Sequence, residues 1–148
     1  MSTSLRRCAA LLTEQGVPHH LDVEEMVVRV VFATEHYRNP RGEALAIARI
    51  EAANRGRRCR VSLERAFVCA GRLERHLTTG CRLAAETPLV KVEHDALGDS
   101  LRLVVETVVE DGRLTGRQLV CMLDAVVSAA EAWQPAFESL AVLRQAAA

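Results

Sequence analysis

LRLVVETVVEDGRLTGRQLVCMLDAVVSAAEAW, residues 101–133, carries an alternating segment, a tight turn and a helix-period apolar run in one stretch. Leu101, Leu103, Val105 and Val109 fall on one side of a two-residue alternation, opposite Arg102, Glu106 and Glu110, which predicts a strand. Val104 and Val108 interrupt the polar side, so that face is expected to be half covered. Asp111-Gly112 supplies a reversal, because glycine takes positive φ without steric cost. Thr115 and Gln118 then form a T-x-x-Q capping box. Leu119, Met122, Leu123, Val126, Val127, Ala130 and Trp133 follow at helical spacing, with Cys121, Asp124, Ser128 and Glu131 opposite. A strand, a turn and a helix laid on a core are the expectation.

Working outward, Ser4–Gln15 predicts a first helix, capped by Ser4 and closed by Gly16 before Pro18. The β-branched run Met26–Thr34 predicts a strand, with Val28, Val30 and Phe32 on one face. Glu43–Ala53 is compatible with helix or strand, and the turns on either side favour a strand. Asn54–Arg57 reads as a hairpin turn and Arg58–Val61 as the returning strand. From Ser62 to Thr79, Leu63, Ala66, Phe67, Ala70, Leu73 and Leu77 share a helical stripe, and Gly80 is expected to end that helix. Leu89–Glu93 makes a short strand, and Pro135 is expected to kink or restart the last helix. The whole is an α+β domain spanning 1–148: an antiparallel sheet of about five strands with helices packed against it, in the order α-β-β-β-α-β-β-α.

Composition excludes several classes of function. With 19 basic and 19 acidic residues, nothing marks a dedicated membrane or nucleic-acid surface. The one local excess, Arg55, Arg57, Arg58 and Arg60 near Arg38, Arg41 and Arg49, could meet phosphates. A solvated hairpin is favoured, since Glu43, Glu51 and Glu64 lie close by and aromatic residues do not interleave. Five cysteines without C-x-x-C spacing suggest neither a disulfide framework nor a zinc site. No signal-peptide pattern opens the chain and no apolar run could span a bilayer, so a reduced cytoplasmic protein is expected. His19-His20 with Asp22, Glu24 and Glu25 lacks metal-ligand spacing, and the other histidines are scattered. No catalytic residue, cofactor site or metal site is expected.

Val90-Lys91-Val92-Glu93-His94-Asp95, Leu101–Glu106, Glu110-Asp111-Gly112-Arg113-Leu114-Thr115, Gln118-Leu119, Leu123 and Trp133–Phe137 together resemble the YbjN-domain family. That family of bacterial sensory transduction regulators is similar in fold to type III secretion chaperones. The resemblance covers the last 60 or so residues well; in the middle helix Thr79-Gly80 stands where the family often has an asparagine. It implies a non-enzymatic homodimer that binds an unidentified protein segment in signalling or stress response. It further implies pairing through the helix Ser62–Thr79, by Leu63, Phe67, Ala70, Leu73 and Leu77. The first long strand, with Val28, Val30 and Phe32, would be the peptide-docking edge. From the residues alone, cover for the helical stripe could equally come from within the chain. A small-molecule sensor, with a cavity between sheet and last helix near Trp133, Cys121 and Met122, is the alternative.

Overall fold

The computed structural model describes residues 4–109 and 113–147, with side chains through residue 141. The reversal expected at Asp111-Gly112 lies outside the described residues. The elements run α1 (Leu5–Glu14), β1 (His20–Asp22), β2 (Val27–Ala33), β3 (Leu45–Ala53), β4 (Arg58–Val68), α2 (Leu73–Glu86), β5 (Lys91–Asp95), β6 (Ser100–Val108) and α3 (Gly116–Ala147). Six strands pair antiparallel in the order β1-β2-β3-β4-β6-β5. The expected α+β architecture stands, with one strand more than the sequence suggested.

All three helices lie on one face of the sheet. Alternation sends Val28, Val30, Ala48, Ile50, Cys59, Val61, Leu63, Leu101 and Leu103 into this core, each at most 2% exposed. α1 is capped by Ser4, whose hydroxyl accepts from the Arg7 N–H at 3.1 Å. Gly16, at φ +69°, ends it: the N–H groups of Gly16 and Val17 donate back to Thr13 and Leu12, a Schellman closure. α3 starts at the expected capping box, where Gln118 N–H donates to Thr115 Oγ1 at 3.1 Å and Thr115 N–H to Gln118 Oε1 at 2.8 Å. Its residues Leu119, Leu123, Val126, Ala130 and Trp133 are buried on the sheet, while Cys121, Asp124 and Ser128 face water. Each fully buried leucine or valine contributes roughly 1.5–3 kcal/mol over an exposed one. Pro135 neither stops nor restarts α3, which runs through it.

The central correction concerns residues 62–79. No helix starts at Ser62; β4 continues to Val68, and α2 begins only at Leu73. The cause is a bulge: Leu63 pairs with Leu103 and Phe67 with Leu101, so residues 64–66 of β4 stand opposite Arg102 alone. Arg65, at φ 47°, takes the bend. Two inserted residues preserve the facing of a strand, so Cys59, Val61, Leu63, Phe67 and Cys69 are all buried, but they convert its spacing into a helical one. Gly80 lies inside α2 and does not end it. A Cβ there would stand 3.3 Å from Leu101 and 3.4 Å from Val92, so the missing side chain lets the helix approach the sheet. β1, a strand of three residues that begins two residues after Pro18, has too little apolar pattern to read from sequence.

Candidate binding groove

β3 and β4 part company halfway along. Their pairing runs from Ala53–Arg58 to Ala48–Leu63 and stops; Leu45–Ile47 still pair with β2, while Glu64–Val68 have no partner on the β3 side. The β2–β3 loop, residues 34–44, fills part of the opening. Tyr37 is buried there, edge-on to Phe67 at 5.8 Å, and its hydroxyl donates to the Ala66 carbonyl at 2.9 Å. Burial pushes the Tyr37 phenol up to about 12. Phe67 in turn stacks on Phe137 of α3 at 4.0 Å, and Phe137 on His76 of α2 at 5.6 Å.

Two shallow depressions flank this loop and share Pro40 and Arg65. The first, about 460 Å³, is lined by Ile47, Leu63 and Tyr37 together with Asn39, Arg41, Glu43 and Glu64. The second, about 400 Å³, lies over Phe67, Val68 and Phe137. They lie on either side of Pro40 and Arg65 along the unpaired edge of β4, each with a mixed apolar and charged lining.

The loop is held from α3. Glu131 accepts three successive main-chain N–H groups, from Glu35 at 3.0 Å, His36 at 2.9 Å and Tyr37 at 2.5 Å. Gln134 Oε1 accepts the next, from Arg38, at 3.3 Å. Partial burial alone would raise the Glu131 carboxyl, but the N–H groups of Tyr37, Glu35 and His36 outweigh it and hold the group below its ordinary value.

The outer sheet face carries an ionic lattice. Arg60 binds Glu93 and, at 2.6 Å, Glu106; Arg58 also binds Glu106; Lys91 reaches both Glu93 and Glu106 at 3.1 Å. Arg102 lies 3.2 Å from Glu64 and 3.7 Å from Asp95. Hydrogen bonds from Arg60 first, and then Lys91, hold Glu93 down to about 2. For Glu106 burial acts upward, and Arg58, Lys91 and Arg60 overcome it to give about 2. The arginine cluster is thereby taken apart: Arg58 and Arg60 are neutralised across the sheet, Arg49 pairs with Glu51 at 2.7 Å, and Arg55 and Arg57 stand in the turn. A paired arginine has no counterions to exchange for phosphate.

The residues expected at a dimer interface do not share one face. Leu63 and Phe67 are buried on β4, Ala70 is exposed in the turn at φ 52°, and Leu73 and Leu77 are half-buried on α2. Val28 and Val30 of the expected docking strand point into the core and Phe32 is half-buried against it, because these are the inward positions of the alternation. β1 pairs only with Val27–Arg29, so Val30–Ala33 keep an open main-chain edge. The sensor cavity is not assembled: Trp133 and Met122 pack in the core while Cys121 sits on the solvent side of α3. Among the described residues no group of His, Cys, Asp and Glu could hold a metal, and no helix is long and apolar enough to cross a membrane. His19 spends its Nδ1 on the Val17 carbonyl and Asp22 its carboxylate on Arg29.

The groove went unseen in sequence because its parts are far apart: a loop tyrosine, a mid-strand bulge and the far end of the last helix. None of the three left a trace: the bulged segment from Ser62 to Val68 carries helical spacing in the sequence.

A six-stranded antiparallel sheet with three helices on one face, in this order, defines a YbjN-like fold of the type III secretion chaperone kind. Among solved structures, YbjN from E. coli, a candidate transcription regulator, matches over 90% of this chain and 92% of its own, at 13% identity and a TM-score of 0.65. A chain of the ExsC–ExsE complex matches over 93% of this chain and 97% of its own, at 16% identity and a TM-score of 0.62. No protein-family profile and no curated protein matches the sequence.

Proposed function

We propose that this protein is a non-enzymatic, chaperone-like or regulatory adaptor that binds an extended segment of another protein. The observation that carries this reading is the gap beside β4, where main chain from Glu64 to Val68 has no strand partner on the β3 side, with the Ala66 carbonyl taken by the Tyr37 hydroxyl. An extended segment would gain main-chain pairing along that edge and a place for its alternate side chains. The ExsC–ExsE structure, a protein complex on a similar fold, supports the reading by analogy.

The rest of the reading is a cytoplasmic bacterial protein acting as a homodimer. Of the helical positions once grouped as an interface, Leu73 and Leu77 are the ones α2 can still offer to a second copy. β2 contributes main chain at Val30–Ala33, where its inward side chains are already spent.

A peptide array probed with the purified protein tests the groove. Ile47 is 45% exposed, so Ile47→Arg should leave the fold intact and weaken array-selected peptides at least about tenfold, as hot-spot truncations do. Thr78→Arg, on the outer side of α2, should leave binding unchanged. Peptides indifferent to Ile47→Arg, or an array with no binders, would overturn the proposal.

A further inference from the structure

The charge around the gap beside β4 is unbalanced, and the imbalance specifies what the gap accepts. Arg65 lines both depressions, Arg41 the first and Arg38 the second, and all three residues are exposed. Among the described residues none of the three forms an ion pair, whereas Arg29, Arg49, Arg58, Arg60 and Arg102 on the strands all do. Arg38 donates from Nη1 to the Glu35 and Tyr37 carbonyls at 3.1 and 3.0 Å, which leaves its charge uncancelled. The carboxylates of the same linings are less available. Glu64 lies 3.2 Å from Arg102 and accepts from the Ser62 hydroxyl, Glu43 accepts from the Asn39 amide, and Glu138 from the Gln134 amide. With Glu64 neutralised by a cation outside the linings, the guanidiniums outnumber the carboxylates that remain. Arg65 is also held under strain. Its φ of 47° lies in the left-handed region, where glycine or asparagine would turn the bulge more easily. A bulge re-aims the side chain it carries, and this one sets a guanidinium at the wall the two depressions share.

We propose that the segment captured beside β4 is acidic: an extended stretch that carries Asp or Glu beside its apolar residues. This rests on the binding function proposed above and narrows it. Because the Tyr37 hydroxyl occupies the Ala66 carbonyl, main-chain pairing along Glu64–Val68 is incomplete, and side chains must supply the rest of the recognition. The apolar residues of the segment would rest on Ile47 and Val68, which are 45% and 38% exposed. Its carboxylates would take Arg65, and Arg41 or Arg38 to either side, in the two-pronged geometry a guanidinium offers. Single-stranded nucleic acid is the less favoured anion, because its bases need aromatic faces to stack on and Tyr37, Phe67 and Phe137 are buried.

The test uses the full chain and array-selected peptides, each made in three versions: as selected, with every Asp and Glu changed to Asn and Gln, and with every Asp and Glu changed to Lys. The selected peptides should be enriched in Asp and Glu. The amide version should bind at least about tenfold more weakly, and the lysine version more weakly still. Fluorescence anisotropy in rising salt should show the acidic version weakening and the amide version nearly unchanged. Arg65→Gln should cost the acidic version about tenfold and the amide version little, and Arg65→Glu should move the preference towards lysine. Arg41→Gln, in the loop, gives the same readout should a change at the bulge disturb the fold, and Arg55→Gln in the β3–β4 turn should alter nothing. Ile47→Ser adds no charge and should weaken the acidic and amide versions alike. Binders that respond to Ile47→Ser without any acidic preference would overturn the acidic specificity and leave the binding function standing. An array with no binders would overturn both. A single-stranded oligonucleotide that competes as well as the acidic peptide would also overturn the proposal.

Discussion

Removing the Glu131 carboxylate leaves three consecutive main-chain N–H groups of the β2–β3 loop without their acceptor. Because Glu35 and His36 are exposed and can rehydrate, Glu131→Ala should cost about 1–2 kcal/mol in urea unfolding, not the full penalty of buried donors. The same substitution should reduce peptide binding at the groove, since Tyr37 loses its tether. Protonation should act in the same direction. Glu131, Glu93 and Glu106 all have folded-state values below the unfolded one, so their stabilisation is complete above about 4.5 and is lost as pH falls through the folded values, about 2 for Glu93 and Glu106. The urea midpoint should therefore fall between pH 4.5 and pH 2; a flat midpoint across that window would show that these contacts contribute nothing. At the start of α3, Thr115→Ala should cost about 1 kcal/mol, because the Gln118 N–H loses its acceptor.

Among the elements, those whose pattern is local were legible. α3 and β6 carry periods of 3.6 and 2 over long runs, and both formed as the spacing required, down to the Thr115–Gln118 cap. The ambiguous 43–53 segment resolved to β3 because its alternation, Ala46, Ala48 and Ile50 inward, serves a sheet that needs cover on one face only. The middle of the chain was illegible for a specific reason. A two-residue bulge at Arg65 shifts Leu63 and Phe67 from a spacing of two to four, which is the spacing a helix uses. No single-sequence pattern separates those cases; pairing with β6 does. Gly80 misled in the other direction, since a helix-weakening residue was kept for close approach. Gly80→Leu should accordingly destabilise the protein by about 2 kcal/mol despite its better helix propensity, because Leu101 has no room to yield. Thermal unfolding of that variant beside Thr78→Ala, on the outer side of the same helix, checks the claim.

For the molecule as a whole, light scattering coupled to size exclusion should report twice the 16.3 kDa chain mass, and Leu77→Arg on α2 should shift it to the monomer. A single-chain mass at micromolar concentration would count against pairing through α2. The ionic lattice on the outer face has a bearing at this scale that differs from its modest value as exposed ion pairs. β5 and β6 form a hairpin, but β4 is separated from that hairpin by all of α2 and meets β6 only after a long detour. On the inner face, a slip of two residues would set one valine or leucine against another with little penalty. On the outer face the same slip would move Arg60 from Glu106 to Val104 or Val108, and Glu93 from Arg102 to Val104 or Ser100. The charges thus work as a keyway, admitting one alignment of three strands that the greasy side cannot tell apart.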